Sequence, residues 1–407
     1  MTTTTSSLDR RYDLDWIRVG AFFLLILYHV GMFYVPWDWH VKSPQPVEAL
    51  EPLMQLTNPW RLTLLFLVSG AATRFMADKV SVGNLTTARI ARLLPPLVFA
   101  MFVIVPPQAY YQVIEYAAGH PGWLTGFESY GGFWVKYATA SGQWCGPDEG
   151  KCLITPTWNH MWFVTYLLVY SLILALILAL FPKLGVKLQA GLERVLSGPW
   201  LLIWPVAFLA VTRMFLMPLF EISHALVDDW YNHALSFGAF LLGFGLAKSE
   251  ALRQRLIAAR WTTLVLAVVC WAGWATYAWI YRADDVTPPE VLRLLMRCVY
   301  SINQWCAIAA ILGFGAKHLN RDAPMLRYLT LAVFPLYIVH QTLIVVMAYH
   351  LAKLGLPQGL EAAILIVATF AGCFATYEIV RRIPVVCWLF GLKFQPRAEA
   401  IRPPVLA

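Results

Sequence analysis

Apolar runs of about 20 residues recur along the chain, each long enough for a hydrocarbon core of roughly 30 Å. They fall at 16–36, 58–78, 93–114, 160–181, 199–217, 231–248, 262–281, 298–316, 328–350 and 361–380, separated by polar segments. The pattern predicts an all-α polytopic membrane protein, one bundle of ten transmembrane helices. The first run follows the polar stretch MTTTTSSLDRR, is too long for the apolar core of a signal peptide and lacks a small-residue cleavage site, so it is expected to stay in the mature protein. No linker, low-complexity tract or internal repeat breaks the series. Residues 1–407 read as a single domain, with polar tails at 1–13 and 382–407 and the longest outer loop at 106–158.

Composition agrees with the pattern. Of 407 residues, 59% are hydrophobic and 13% charged, with a mean hydropathy of +0.60, where soluble domains carry about 25% charged residues. Cytoplasmic loops hold the excess of Lys and Arg. With an inside N-terminus, Arg10 and Arg11, Arg74 to Arg92, Lys183 to Arg194, Lys248 to Arg260, Lys317 to Arg327 and Arg381 to Arg402 all face the cytoplasm. The outer loops then keep only scattered cations such as Lys42, Lys136, Lys151, Arg282 and Lys353. Both termini are therefore expected inside. The net charge of +8 follows from this asymmetry and needs no nucleic-acid partner.

Five of the seven cysteines (Cys270, Cys298, Cys306, Cys373, Cys387) sit in or beside the runs without metal-ligand spacing and read as packing residues. Cys145 and Cys152, in CGPDEGKC, either bridge in an oxidising compartment or remain free thiols. No His, Cys and carboxylate set has the spacing of a metal site, so none is expected.

Candidate chemistry begins in LDWIRVGAFFLLILYHVGMFYVP (14–36), where an apolar span carries Arg18 and His29. Eleven residues make three turns and about 20°, so the two share a face about 16 Å apart along the axis. Asp15, three residues before Arg18, is placed to pair with it. Ionisable residues at this depth face a bundle interior or a wet cavity. The plainer alternatives are an imidazole bonded to a neighbouring helix and an Arg that snorkels to the headgroups. In TTARIARLLPP, Arg89 and Arg92 stand at i and i+3, read as a helix start where free N–H groups favour anions. Planar guanidinium suits phosphate, though positive-inside anchoring also explains such arginines. His340 in FPLYIVHQ is some 12 residues into the ninth run, which gives it a depth similar to that of His29. His160 in TPTWNHMWF opens the fourth run beside Trp158 and Asn159. The aromatic segment GGFWVKYATASGQW reads either as an interface belt or as a substrate-facing cover. A neutral His is a general base near pH 7, and arginines below, a buried His in the middle and aromatics above suit group transfer across a bilayer.

The ordered set of motifs resembles the membrane acyltransferases of type 3. It comprises Arg18 and His29 with ten residues between them, LFLVSGAATRF (65–75), the RxxR pair Arg89 and Arg92 followed by LLPP, WNHMWF (158–163) and YIVHQ (337–341). Within the family it looks most like the glucan biosynthesis protein C branch, succinyltransferases of periplasmic glucans, through LDWIR (14–18), WHVKSPQP (39–46), PPQAYY (106–111) and the His160 motif. The resemblance implies a multi-pass protein of the bacterial inner membrane, acyl-CoA as donor and a carbohydrate hydroxyl as acceptor, with no permanently bound cofactor. It carries function over to His29, Arg18, Arg89 and Arg92, with His40, His160 and His340 matching more loosely; with the spacing of Asp15 this gives catalysis to His29, support to Arg18, Asp15 and His340, and donor phosphates to Arg18, Arg89 and Arg92. His40, Trp158, Asn159 and His160 are acceptor-side candidates. A transporter or exporter of a glycan or lipid-linked sugar is the competing class. Transporters often show paired interrupted segments in two halves, and no such pair is present.

Overall fold

The computed structural model describes residues 10–119, 129–142, 144–145, 152–283 and 286–393. Outside them lie residues 1–9 of the N-terminal tail, 120–128, 143 and 146–151 of the expected outer loop, Asp284 and Asp285, and residues 394–407 of the C-terminal tail. Helices dominate: α1 (Tyr12–Tyr34), α2 (Glu51–Thr57), α3 (Arg61–Ala77), α4 (Val82–Phe99), α5 (Pro106–Gly119), α6 (Tyr130–Ala138), α7 (Trp162–Leu180), α8 (Leu184–Val195), α9 (Trp200–Phe215), α10 (Trp230–Leu246), α11 (Glu250–Ile280), α12 (Glu290–His318), α13 (Pro324–Leu351), α14 (Gln358–Val380) and α15 (Pro384–Leu389). Among the described residues the β structure is one antiparallel hairpin, β1 (Trp144–Cys145) and β2 (Cys152–Leu153). Cys145 faces Cys152 there and the disulfide is closed.

Among the described residues, seven helical stretches are long and apolar enough to cross a membrane: Tyr12–Tyr34, Val82–Ala118, Asn159–Leu180, Glu250–Ile280, Glu290–His318, Pro324–Leu354 and Gln358–Val380. An eighth arises if α8 and α9, which meet at 106°, count as one bent span. The runs at 58–78 and 231–248 fall on α3 and α10, each of 17 residues. Such a helix rises about 25 Å, less than the roughly 30 Å of hydrocarbon. The protein is all-α and polytopic, and among the described residues seven or eight helices meet the length and apolarity of a span.

The expected outer loop at 106–158 begins helical, because α5 continues α4 through a π-turn at Ala100–Ile104. Pro106 and Pro107 bring no N–H to the carbonyls four residues back, which must find other donors. Trp134 Nε1 reaches the Phe102 carbonyl, four residues before Pro106, at 2.8 Å; in the same turn the Tyr137 hydroxyl reaches the carbonyl of Met101 at 2.9 Å and Thr342 Oγ1 that of Ile104 at 2.6 Å. The aromatics of GGFWVKYATASGQW thus divide between these bonds and a small core. Phe133, Tyr137 and Trp144 are buried against Ala109 and Val113 of α5.

The chain packs as two compact units, each built from separated stretches. One comprises Met1–Leu25, Ala49–Thr86 and Val169–Thr330, the other Ile26–Glu48, Thr87–Leu168 and Leu331–Ala407. In the first, α3 and α10 touch backbone to backbone. A β-carbon added at Gly70 would lie 1.9 Å from the Phe240 carbonyl oxygen, and one at Gly243 only 1.8 Å from that of Leu67. Small residues permit this approach, as they do between membrane helices generally. Polar bonds fix the remaining helices of that unit: Asn303 Nδ2 to the Ala267 carbonyl (2.7 Å), Gln304 Nε2 to Thr63 Oγ1 (2.9 Å) and Trp305 Nε1 to the Leu201 carbonyl (2.9 Å).

In the second unit the segment after α1 folds back on its own helix. Lys42 Nζ donates to the carbonyls of Met32 (2.6 Å), Trp37 (2.8 Å) and Val35, capping orphan acceptors at the helix end. Burial pulls the Lys42 ammonium down to about 8, against the pull of Asp38 and Glu115.

Candidate active site

His29 and His340 meet. His29 Nδ1 lies 2.8 Å from His340 Nε2, although 311 residues separate them, and the rings stack with centroids 5.0 Å apart. His340 is fully buried on α13, and its Nδ1 sits 2.6 Å from the Tyr337 carbonyl of the preceding turn. A carbonyl only accepts, so His340 carries its proton on Nδ1 and offers Nε2 as an acceptor. His29 must then donate from Nδ1. The lone pair of His29 is thereby left on Nε2, the orientation a general base requires.

A second chain of polar contacts lies beside the pair. His160, on a turn at Asn159–Met161 before α7, points Nε2 at the Ile338 carbonyl (3.0 Å), and its ring centroid is 5.2 Å from that of His340. It therefore donates from Nε2 and accepts at Nδ1 from Gln108 Nε2 (3.3 Å). Gln108 also donates to Thr342 Oγ1 (2.6 Å), while its carbonyl accepts from Asn159 Nδ2 (3.1 Å) and Gln341 Nε2 (3.1 Å). Gln341 spends its other N–H on His40 Nε2 (2.7 Å), and His40 Nδ1 donates to Gln112 Oε1 (2.7 Å). Each bond has one donor and one acceptor with every imidazole neutral, so the network is satisfied without a charge. Trp39, parallel to His29 within 16° at 6.4 Å between ring centroids, flanks the pair.

Of the sequence candidates in this unit, His29, His340, His160, Asn159 and His40 belong to these two chains. Trp158 is half-buried just before the turn, its carbonyl accepting from Met161 N (2.8 Å). Gln108, Gln112, Gln341 and Thr342 were not singled out in the sequence. Neutral amides on apolar helices carry no charge signal, and only the glutamines at hydrogen-bonding distance reveal their use.

The arginines are placed differently from the sequence expectation. Arg89 and Arg92 sit well inside α4, which starts at Val82 after Ser81 accepts from Asn84 N (3.3 Å), so the free N–H groups of a helix start do not reach them. Arg89 is half-buried. Arg92 is exposed, with Nη1 3.2 Å from the Gly391 carbonyl and its guanidinium 5.7 Å from the Phe334 ring centroid. In the other unit Asp15 pairs with Arg18 (3.1 Å) and Arg10 (3.0 Å), and Arg18 Nε is buried with no hydrogen-bond partner among the described residues.

His40 lies outside the spanning helices, and burial, partly offset by its bond to Gln112, holds its pKa below the ordinary 6.5. In the unfolded chain the ring titrates at about 6.5, so on acidification the unfolded state takes up the proton first. Stability from the neutral ring is full above that pH and is lost as pH falls below it. The melting temperature of the detergent-solubilised protein should therefore drop more steeply between pH 6.5 and 5 in wild type than in His40→Gln. Parallel profiles would remove His40 from the acid response.

The two chains of imidazoles, amides and carbonyls thus lie within one unit of a polytopic helical protein. The chain matches the family described as "Acyltransferase domain" over residues 11–378 and belongs to that family, so it is an acyl-transferring enzyme of the membrane. It is similar to Glucans biosynthesis protein C of Escherichia coli O139:H28 (strain E24377A / ETEC), 21% identical over 97% of this chain and 98% of that protein. It is also similar to Glucans biosynthesis protein C of Escherichia coli O1:K1 / APEC, 24% identical over 39% of this chain and 36% of that one. No solved structure matches the chain.

Proposed function

We propose that this enzyme moves a succinyl or acetyl group from cytoplasmic acyl-CoA to a hydroxyl of a periplasmic or envelope carbohydrate, in the bacterial inner membrane. The observation that carries the reading is the bond series from the Tyr337 carbonyl through His340 to His29, which leaves His29 Nε2 as the base. As the acceptor oxygen attacks the thioester carbon, His29 Nε2 takes the hydroxyl proton. The C–O bond forms, the C–S bond breaks, and the thiolate of coenzyme A leaves with the proton that His29 gives up. His340 orients His29, and the Tyr337 carbonyl steadies the imidazolium through it.

Arg89 and Arg92 are assigned to the donor's phosphates, being planar cations one turn apart on α4. Arg18 is assigned to the donor by the family resemblance and by its unpartnered buried Nε. His160, Asn159, His40 and Trp158 are assigned to the acceptor side. A glucan is favoured as acceptor because that word stands in the names of both relatives. In this reading α3, α10 and the bent α8 and α9 pair also cross the bilayer, and the excess of Lys and Arg in alternate loops puts both termini in the cytoplasm.

Mass spectrometry of envelope glycans from cells with and without the protein tests the reading. A mass increment of succinyl or acetyl present only with the protein is the expected result. Glycans that carry no increment but shift between compartments would replace acyl transfer with transport. For the donor, Arg89→Gln with Arg92→Gln is expected to raise the KM for acyl-CoA at least tenfold, and an unchanged KM would remove both arginines from the phosphates.

A further inference from the structure

A buried cation in the first unit has no counter-charge among the described residues. Arg213, in the last turn of α9, is 8% exposed. Its Nη1 reaches the Met217 Sδ at 3.7 Å, and its Nε is buried without a hydrogen-bond partner. No carboxylate pairs with it among the described residues. Aromatic faces hold it instead, the guanidinium carbon standing 3.6 Å from the Tyr300 ring centroid of α12 and 5.7 Å from that of Tyr231 in the first turn of α10. Tyr231 is 2% exposed, and its hydroxyl too is buried without a partner. Asp229, the neighbouring acid, is turned to Ser223 N (3.3 Å), His224 N (3.1 Å) and Asn232 Nδ2 (2.8 Å). Arg297 of α12 lies close enough to act on Tyr231 electrostatically, which adds positive and not negative charge.

Unmade hydrogen bonds at buried groups are costly, and a buried charge is retained where something pairs with it. Two orphaned donors on one cation and aromatic stack, with the local acid committed elsewhere, describe a receptor waiting for an acceptor. A planar guanidinium edge matches the two oxygens of a carboxylate. Arg213 Nε and the Tyr231 hydroxyl supply two donors, the number a carboxylate's two oxygens take. We propose that Arg213 and Tyr231 form a binding site for a carboxylate-bearing ligand, with the Tyr300 ring fixing the plane of the guanidinium. The site stands on residues of the first unit alone and does not depend on the acyl-transfer reading.

The test uses the full chain purified in detergent, its melting temperature followed against sodium succinate at fixed pH and ionic strength. Succinamide serves as the neutral isostere and inorganic phosphate as the competing anion. A ligand that binds only the folded state raises the melting temperature saturably. Succinate is expected to do so and succinamide not. The effect should vanish in Arg213→Gln and need at least tenfold more succinate in Tyr231→Phe. Without succinate, Tyr231→Phe should melt no lower than wild type, since the oxygen it removes bonds nothing; a lower melting temperature would mean that the hydroxyl serves the fold. A response to succinate that never saturates, or that survives Arg213→Gln unchanged, would overturn the site. A stronger response to phosphate than to succinate would overturn the carboxylate assignment. Should Arg213→Gln fail to fold, the shift in half-saturation with Tyr231→Phe decides the question by itself.

Discussion

His29→Ala is expected to lower acyl transfer by about 10²- to 10⁴-fold at unchanged membrane abundance, the range a positioned general base contributes. In barrier terms that is about 3–5 kcal/mol. The loss should fall on kcat, because the imidazole acts on a proton in flight and not on the resting donor. His340→Ala should reproduce much of the loss, since without His340 Nε2 nothing from that ring obliges His29 to keep its proton on Nδ1. The double variant should then be scarcely slower than His29→Ala alone, because two residues acting as one unit are not additive. Steady-state rates on purified protein, checked against each variant's melting temperature, settle it. Losses that multiply in the double variant would mean that the two imidazoles work independently.

Gly243→Ala is expected to be the most damaging small substitution in the first unit. The new β-carbon would stand 1.8 Å from the Leu67 carbonyl oxygen, and neither backbone can swing aside as a side-chain tip would. Overpacking a tight contact costs about 1–3 kcal/mol and occasionally more, and a collision with backbone belongs at or beyond the upper end. Gly70→Ala meets the Phe240 carbonyl oxygen in the same way. Gly20→Ala in α1 is the control, because nothing lies within 4 Å of its added carbon. There the substitution should be neutral or stabilising by about 0.5–1 kcal/mol, the usual gain from removing a glycine inside a helix. Size-exclusion profiles after a heat step would show the contrast. A Gly243→Ala protein as heat-resistant as Gly20→Ala would mean that α3 and α10 are not in this close contact.

Much of this was legible in the chain itself. Twenty-residue apolar runs located the long helices, and depth alone brought His29 and His340 to one level before any contact was known. That works because a helix advances a fixed distance per residue, so position along a run is position in the membrane. The hydrogen bonds that set the tautomers were not legible, since they depend on rotation about each helix axis and on amides such as Gln108 and Gln341 that carry no charge. The placement of Arg89 and Arg92 was misread for a local reason. The apolar run begins at 93, just after the arginines, whereas α4 starts at Val82 and carries both arginines and both prolines in its interior. The shortness of α3 and α10 escaped notice because the runs took in flanking residues, Asn58 to Trp60 and Asp78 beside α3, and Ala247 and Lys248 beyond α10.

The separation of 311 residues between His29 and His340 also governs when the enzyme comes into being. Helix α1 emerges early from the ribosome, but its histidine has no partner until α13 has been made. A chain halted anywhere before residue 340 holds the base without the group that orients it. The imidazole pair is therefore completed only near the end of synthesis, long after the helix that carries His29 has been made.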